Sequence, residues 1–116
     1  MEIEKIKDKI ENSIVALATV SLNNKPHAIA VEVNKIKDGK VVITNNYMKK
    51  TVENIKTNPN VCLVFWKGEK GWRIEGKSEY YNYGKWLEFV KSLKENKGHP
   101  IKGALLIKVE KIEELV

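Results

Sequence analysis

The sequence predicts a mainly β fold: a six-stranded antiparallel barrel carrying short helices. Three observations lead there. Six runs of the chain have strand length and either continuous β-branched content or period-two alternation. Several are joined by short turn-forming links, among them Asn23-Asn24-Lys25 and Asp38-Gly39. The helical stretches are too few and too short to cover both faces of a parallel sheet. With 116 residues, 42% of them hydrophobic, the whole chain 1–116 reads as one domain around one core.

The elements follow in order. Ile3, Ile6 and Ile10 recur at helical spacing and predict a short amphipathic helix over 2–12. The run Ile14 to Leu22 is a buried strand by length and branching. Residues 27–37 form a second strand, with Ile29, Val31 and Val33 on one face and Ala28, Ala30 and Glu32 on the other. Asp38-Gly39 turns the chain into a third strand over 41–44. Val52 and Ile55 fit a short helix that starts near Thr51, its N-cap, and ends by Pro59. Residues 61–66 are a buried strand, 67–71 a loop, and 72–80 a long alternating strand. Trp86, Leu87, Phe89, Val90 and Leu93 mark an amphipathic helix over about 85–96 that Gly98-His99-Pro100 breaks. Residues 104–109 are the last strand.

Several classes are excluded. No run of 18 apolar residues exists to span a membrane. The first residues alternate in charge and carry no apolar signal core, so a cytoplasmic location is expected. Cys62 is the only cysteine, which leaves no internal disulfide and no cysteine-cluster metal site. His27 and His99 lack a ligand-like spacing. The formal charge is +6, and Arg73 is the only arginine. Lysine acts as a point charge on phosphate, whereas arginine reads base edges in bidentate fashion. The excess therefore points to an anionic partner rather than to sequence-specific reading of nucleic acid, or to lysines spread over a solvated surface.

The stretch Thr44-Asn45-Asn46-Tyr47-Met48-Lys49-Lys50-Thr51 leaves a strand and opens a helix. Free amides at a helix start favour an anion. Two adjacent lysines, a hydroxyl and two side-chain amides, with no acid from Asn45 to Val52, make a phosphate pocket. The same residues also read as a capped helix with two solvated lysines and turn-forming asparagines. Cys62, between Val61 and Leu63, reads as an inert core thiol. Glu32, between Val31 and Val33, points out of the barrel into solvent or into a site. Trp66, Trp72, Tyr80, Tyr81, Tyr83 and Trp86 either stack a base or planar cofactor or serve core and interface.

The run VVITNNYMKKTVENIKTNPNVCLVFW, followed by WRIEGKSEYY, resembles the FMN-binding split-barrel proteins related to pyridoxamine 5'-phosphate oxidase. Ile43-Thr44-Asn45, Lys49-Lys50, the segment Asn54 to Leu63 and Arg73-Ile74-Glu75-Gly76 stand at that family's successive motif positions. The likeness extends more loosely over Val15 to Val33. It implies a split barrel of flavin-binding type, and a homodimer with FMN at the subunit interface. The phosphate-binding basic pair falls on Lys49 and Lys50, with Thr51 as the adjacent hydroxyl. The threonine after the strand falls on Thr44, Asn45 and Asn46 line the pocket, and Ala30, Val31 and Glu32 run along the flavin ring.

The departures point away from pyridoxamine phosphate oxidation itself. The vitamin-converting oxidases carry an arginine and a lysine on the second strand, where this chain has about Ala28 and Val33. Their glutamine ahead of the Arg-Ile-Glu-Gly strand is Gly71 here, and their substrate-binding C-terminal segment has no counterpart after Val116. The resemblance thus implies a small flavoprotein oxidoreductase or electron carrier, with F420 as the alternative cofactor. Haem, bound by some relatives, would have only His27 or His99 as axial ligand. A small basic nucleic-acid-binding barrel is the alternative from a different class.

Overall fold

A computed structural model of the protein describes residues 1–115. It contains seven strands: β1 (Ile14–Val20), β2 (Pro26–Glu32), β3 (Lys35–Lys37), β4 (Lys40–Asn45), β5 (Asn60–Lys67), β6 (Lys70–Tyr81) and β7 (Gly103–Leu115). Three short helices accompany them: α1 (Lys7–Ile10), α2 (Lys49–Thr57) and α3 (Lys85–Ser92). A 3-10 turn over Ile3–Ile6 leads into α1, and another over Lys94–Asn96 follows α3. No helix among the described residues is long and apolar enough to cross a membrane.

All seven strands form one antiparallel sheet in the order β2-β1-β5-β6-β7-β4-β3. The sheet curls into a half-barrel. Val31 of one edge strand and Ile36 of the other reach the same core as Leu17, Leu63, Ile74 and Ile107 from the middle of the sheet. Burying both edges against one core requires that curvature. Ile3, Ile6 and Ile10 plug that core as their spacing predicts. Phe65 and Trp72, directly opposite on β5 and β6, stack within it at 5.3 Å between ring centroids. β4 and β7 are covered on both faces, because α3 lays Trp86 and Val90 over Val42, Ala104 and Leu106 on the outer side.

The strand count exceeds the six expected from sequence by one, for an identifiable reason. The 27–37 run is not one strand. Val33 N–H bonds to the Ser13 carbonyl, and Asn34 N–H bonds to the Val42 carbonyl. The chain therefore changes partner from β1 to β4 at this corner, which divides the run into β2 and β3. The alternation slips by one residue at this corner, since Val31, Val33 and Ile36 all face the core, and a reading of 27–37 as one strand passes over that change of phase. The β3–β4 turn is the predicted Asp38-Gly39 hairpin, with φ of 54° and 74° as a two-residue turn of this hand requires.

The helices are shorter than their apolar periodicity suggests. The first stops at Ile10, and Asn12, with a left-handed backbone and an N–H bond to the Val33 carbonyl, redirects the chain. The third stops at Ser92, and the last residues of its predicted span become the Lys94–Asn96 turn. β7 runs to Leu115, well past the predicted end at 109, held by pairing with β6 along its charged outer half. A bulge at Glu75/Gly76 bends β6, and any side chain at Gly76 would collide with the Lys108 carbonyl. Cys62 is a correction of another kind. It is half-buried on the outer face of β5, between the inward-facing Val61 and Leu63, and is not a core residue.

Candidate functional site

The site forms where the barrel is split. β2 approaches β4 without pairing to it, and its outer edge carries no neighbouring strand. A cavity of about 480 Å³ opens there. One wall is β2, with Ala30, Val31 and Glu32. The floor is Thr44, with Asn34 and Asn96 beside it, and the loop after β4 supplies Asn46, Tyr47 and Met48. The far end is the start of α2, with Lys49, Lys50 and Thr51. Its size suits a small-molecule cofactor, since such sites run to roughly 300–1,000 Å³.

α2 starts two residues before the predicted N-cap. The Asn45 side chain causes this: its Oδ1 accepts the Met48 N–H at 2.7 Å and closes the turn, and Val52 N–H then makes the first helical bond to the Met48 carbonyl. Thr51 is therefore inside the first turn and caps nothing. The amides of Lys49, Lys50 and Thr51 stand at the free helix end, where no carbonyl precedes them in the helix. Thr51 is 1% exposed, and its hydroxyl has no hydrogen-bond partner among the described residues. A buried, unpaired hydroxyl costs stability unless something else satisfies it. Here it lines a cavity flanked by two lysines, as an anion site requires. Lys50 Nζ lies 4.0 Å from Glu53, and both side chains are more than half exposed, so the charge on Lys50 remains available.

The floor is built differently. Asn96 Nδ2 donates to Thr44 Oγ1 at 2.8 Å and to the Val90 carbonyl at 2.7 Å. Thr44 passes its own proton to Asn34 Oδ1 at 2.7 Å, and Asn34 Nδ2 reaches toward Glu95. This buried network ties the turn after α3 to β4 and to the β2–β3 corner. Glu32 stands at the same end of the cavity, and its carboxyl is pushed above the usual range, first by burial and then by the charge of Glu95. The cavity is thus cationic at the helix end and rich in acceptors at the other.

Eight of the nine residues expected from sequence to bind a cofactor line this one cavity: Ala30, Val31 and Glu32, Thr44 and Asn46, and Lys49, Lys50 and Thr51. Asn45 stands apart. Its Nδ2 donates to the Tyr80 hydroxyl at 2.7 Å while its Oδ1 holds Met48, so its side chain organises the loop behind the site. Asn34, Asn96, His27, Ile29, Tyr47 and Met48 also line the cavity, beyond the residues that the sequence points to. Asn96 carries no local signal, because only the long-range pairing of β4 with β7 brings the turn after α3 to this place. Of the aromatic group in the second half, Trp72 and Trp86 are buried and leave no open stacking platform, whereas Trp66 and Tyr83 are exposed.

Comparison with known proteins places this architecture. An uncharacterized protein of Methanocaldococcus jannaschii is 32% identical over 97% of this chain and 79% of its own length. A pyridoxine/pyridoxamine 5'-phosphate oxidase of Microcystis aeruginosa is 36% identical over 61% of this chain, but that match spans only 34% of the oxidase. Among solved structures, HupZ of Group A Streptococcus superposes with a TM-score of 0.87 at 25% identity, covering 99% of this chain and 94% of that one. An FMN-binding protein of Syntrophomonas wolfei shares the fold with a TM-score of 0.80 at 19% identity, over 97% and 88% of the two chains. The sequence model of the pyridoxamine 5'-phosphate oxidase family matches residues 3–115, and the chain belongs to that family.

Proposed function

We propose that the protein is an FMN-binding flavoprotein that works as an oxidoreductase or electron carrier, with the flavin phosphate at the start of α2. The observation that carries this reading is Thr51: a buried hydroxyl without a partner among the described residues, beside Lys49 and Lys50, in a cavity of cofactor size. Lys49 and Lys50 supply charge, Thr51 a short hydrogen bond, and the amides of the first helical turn fixed donors for a dianion. Ala30, Val31 and Glu32 lie on an edge strand, so their backbone groups that face no neighbour can meet the polar edge of a ring. Thr44 holds the floor in place and has no proton left to donate to a ligand. A bound flavin supplies the electron or hydride chemistry, and the protein positions and shields it.

The same reading makes the unit a homodimer. The outer face of β1, β2 and β5 carries small and apolar side chains. Ala16 and Ala18 stand opposite Ala30 and Ala28 on one side and Val64 and Cys62 on the other. Ile14 and Trp66, 63% and 61% exposed, flank this patch. Small side chains let two sheets approach closely, and an apolar face of this kind marks an interface. Ala30 and Glu32 belong both to this face and to the cavity wall, so a partner seated here would border the flavin.

Purified protein from a flavin-replete host should be yellow, release FMN on denaturation, and elute as a dimer. Colourless protein that takes up no added FMN would overturn the reading. Release of F420 instead of FMN would keep the site and change the cofactor. Binding of oligonucleotides that collapses with salt, without any flavin binding, would favour the nucleic-acid alternative.

A further inference from the structure

A second cavity, of about 470 Å³, adjoins the first. The two share His27 and Lys50. It lies between the β1–β2 turn and α2, and Lys25, Ser21, Asn23 and Thr57 contribute to its lining. Its rim carries Leu22, which is 79% exposed and packs into neither hydrophobic core. Glu53 is the acid in its lining, and its nearest cation is Lys50 at 4.0 Å.

We propose that this cavity is a subsite for a group joined to the flavin phosphate through a second phosphate, so that the protein accepts the dinucleotide FAD as well as FMN. The inference rests on the flavin reading of the first cavity and extends it. The boundary between the cavities lies at Lys50, the residue assigned to the phosphate. A chain of atoms that leaves that phosphate away from the flavin enters the second cavity directly. Lys25 and Lys50 place two cations along that path, with His27 between the cavities, as a diphosphate requires. Beyond them the lining turns to hydroxyls, side-chain amides and the exposed Leu22. Such a mixture suits a ribose and a base: polar groups for the sugar and one apolar side chain against the ring face. With a volume matching that of the first cavity, it has room for a nucleoside.

Lys25 separates the two functions, because it lines only the second cavity and its side chain makes no ion pair or hydrogen bond among the described residues. The experiment titrates apo-protein with FMN and with FAD, following flavin fluorescence, for the unaltered chain and for Lys25→Ala, with inorganic pyrophosphate as competitor. The inference expects FAD to bind within about tenfold of FMN or tighter. Lys25→Ala should weaken FAD roughly tenfold and leave FMN within about twofold. Pyrophosphate should displace FAD at lower concentration than inorganic phosphate does. FMN binding with FAD more than about a hundredfold weaker would overturn the inference and leave the FMN site intact, as would equal effects of Lys25→Ala on both flavins. Failure of both flavins to bind would overturn the flavin reading and this extension together. Matching melting temperatures of the two proteins would show that Lys25→Ala leaves the fold unaltered.

Discussion

Thr44 and Asn96 are 52 positions apart in sequence and 2.8 Å apart in space, joined by a hydrogen bond from the Asn96 amide to the Thr44 hydroxyl. The direction of that bond is set by a third group. The Val90 carbonyl can only accept, so the Asn96 NH2 must face it, and Thr44 must then donate onward to Asn34. Thr44→Val would keep the shape and leave the Asn34 Oδ1 and one Asn96 N–H without the partner they have now. The expected cost is about 1–3 kcal/mol of folding stability, the penalty for buried polar groups left without partners. Chemical denaturation measures it, and an unchanged midpoint would show that the network is dispensable.

The same substitution at Thr51 should behave oppositely. Its hydroxyl is buried with no partner among the described residues, so Thr51→Val removes an unsatisfied group. The apo-protein should hold or gain up to about 1 kcal/mol. FMN affinity should fall, because the hydroxyl that meets the phosphate is gone. Loss of apo stability, or unchanged affinity by titration, would contradict the role assigned to this side chain.

Lys50→Ala should weaken FMN by about 1.5–3 kcal/mol, as removal of a charged hydrogen bond does. The loss should shrink as salt rises, since Lys50 is largely exposed and its field is screened. A titration that finds equal affinity at low salt would place the phosphate elsewhere.

The alanine face gives a prediction independent of the flavin. Ala18 is exposed on β1 opposite Ala28 and Cys62. Ala18→Glu puts a charge in the centre of that patch, where a dimer would have to desolvate it. Light scattering should report a monomer for the variant and a dimer for the unaltered protein. A dimeric variant would move the interface to another surface.

Stability should also depend on pH through Lys40 and Glu79. Their 2.8 Å bond holds the Glu79 carboxyl below its ordinary value and the Lys40 ammonium above its own. A depressed carboxyl contributes above its unfolded pKa, so that share is lost as pH falls through the acid range. A raised ammonium contributes below its unfolded pKa, so its share is lost as pH rises through the strongly basic range. The pair should give a plateau across neutral pH worth about 1 kcal/mol or less, because both groups are partly solvated. Glu79→Gln should flatten both shoulders of the stability profile.

Most elements were legible in the residues themselves. Asp38-Gly39 marked its hairpin because few other residues tolerate two successive left-handed positions. Ile3, Ile6 and Ile10 marked a buried helical face that needs no knowledge of its partner. α2 starts two residues ahead of Thr51 because the Asn45 side chain closes the turn at Met48, and Thr51 falls inside the first helical turn.

What the sequence alone determined is the set of local pieces and the anion-seeking group: strands by alternation, turns by Gly, Asn and Asp, and Lys49, Lys50 and Thr51 at a helix start. These depend on neighbours within a few residues, so a linear pattern records them. Only the tertiary structure decided that the 27–37 run bends at Asn34 to change partner. It also decided that Asn96 crosses 52 residues to hold the floor, and that the buried hydroxyl of Thr51 lines the cavity with no partner among the described residues. Each of those facts concerns which distant groups meet, and the curl of the sheet around one core settles it.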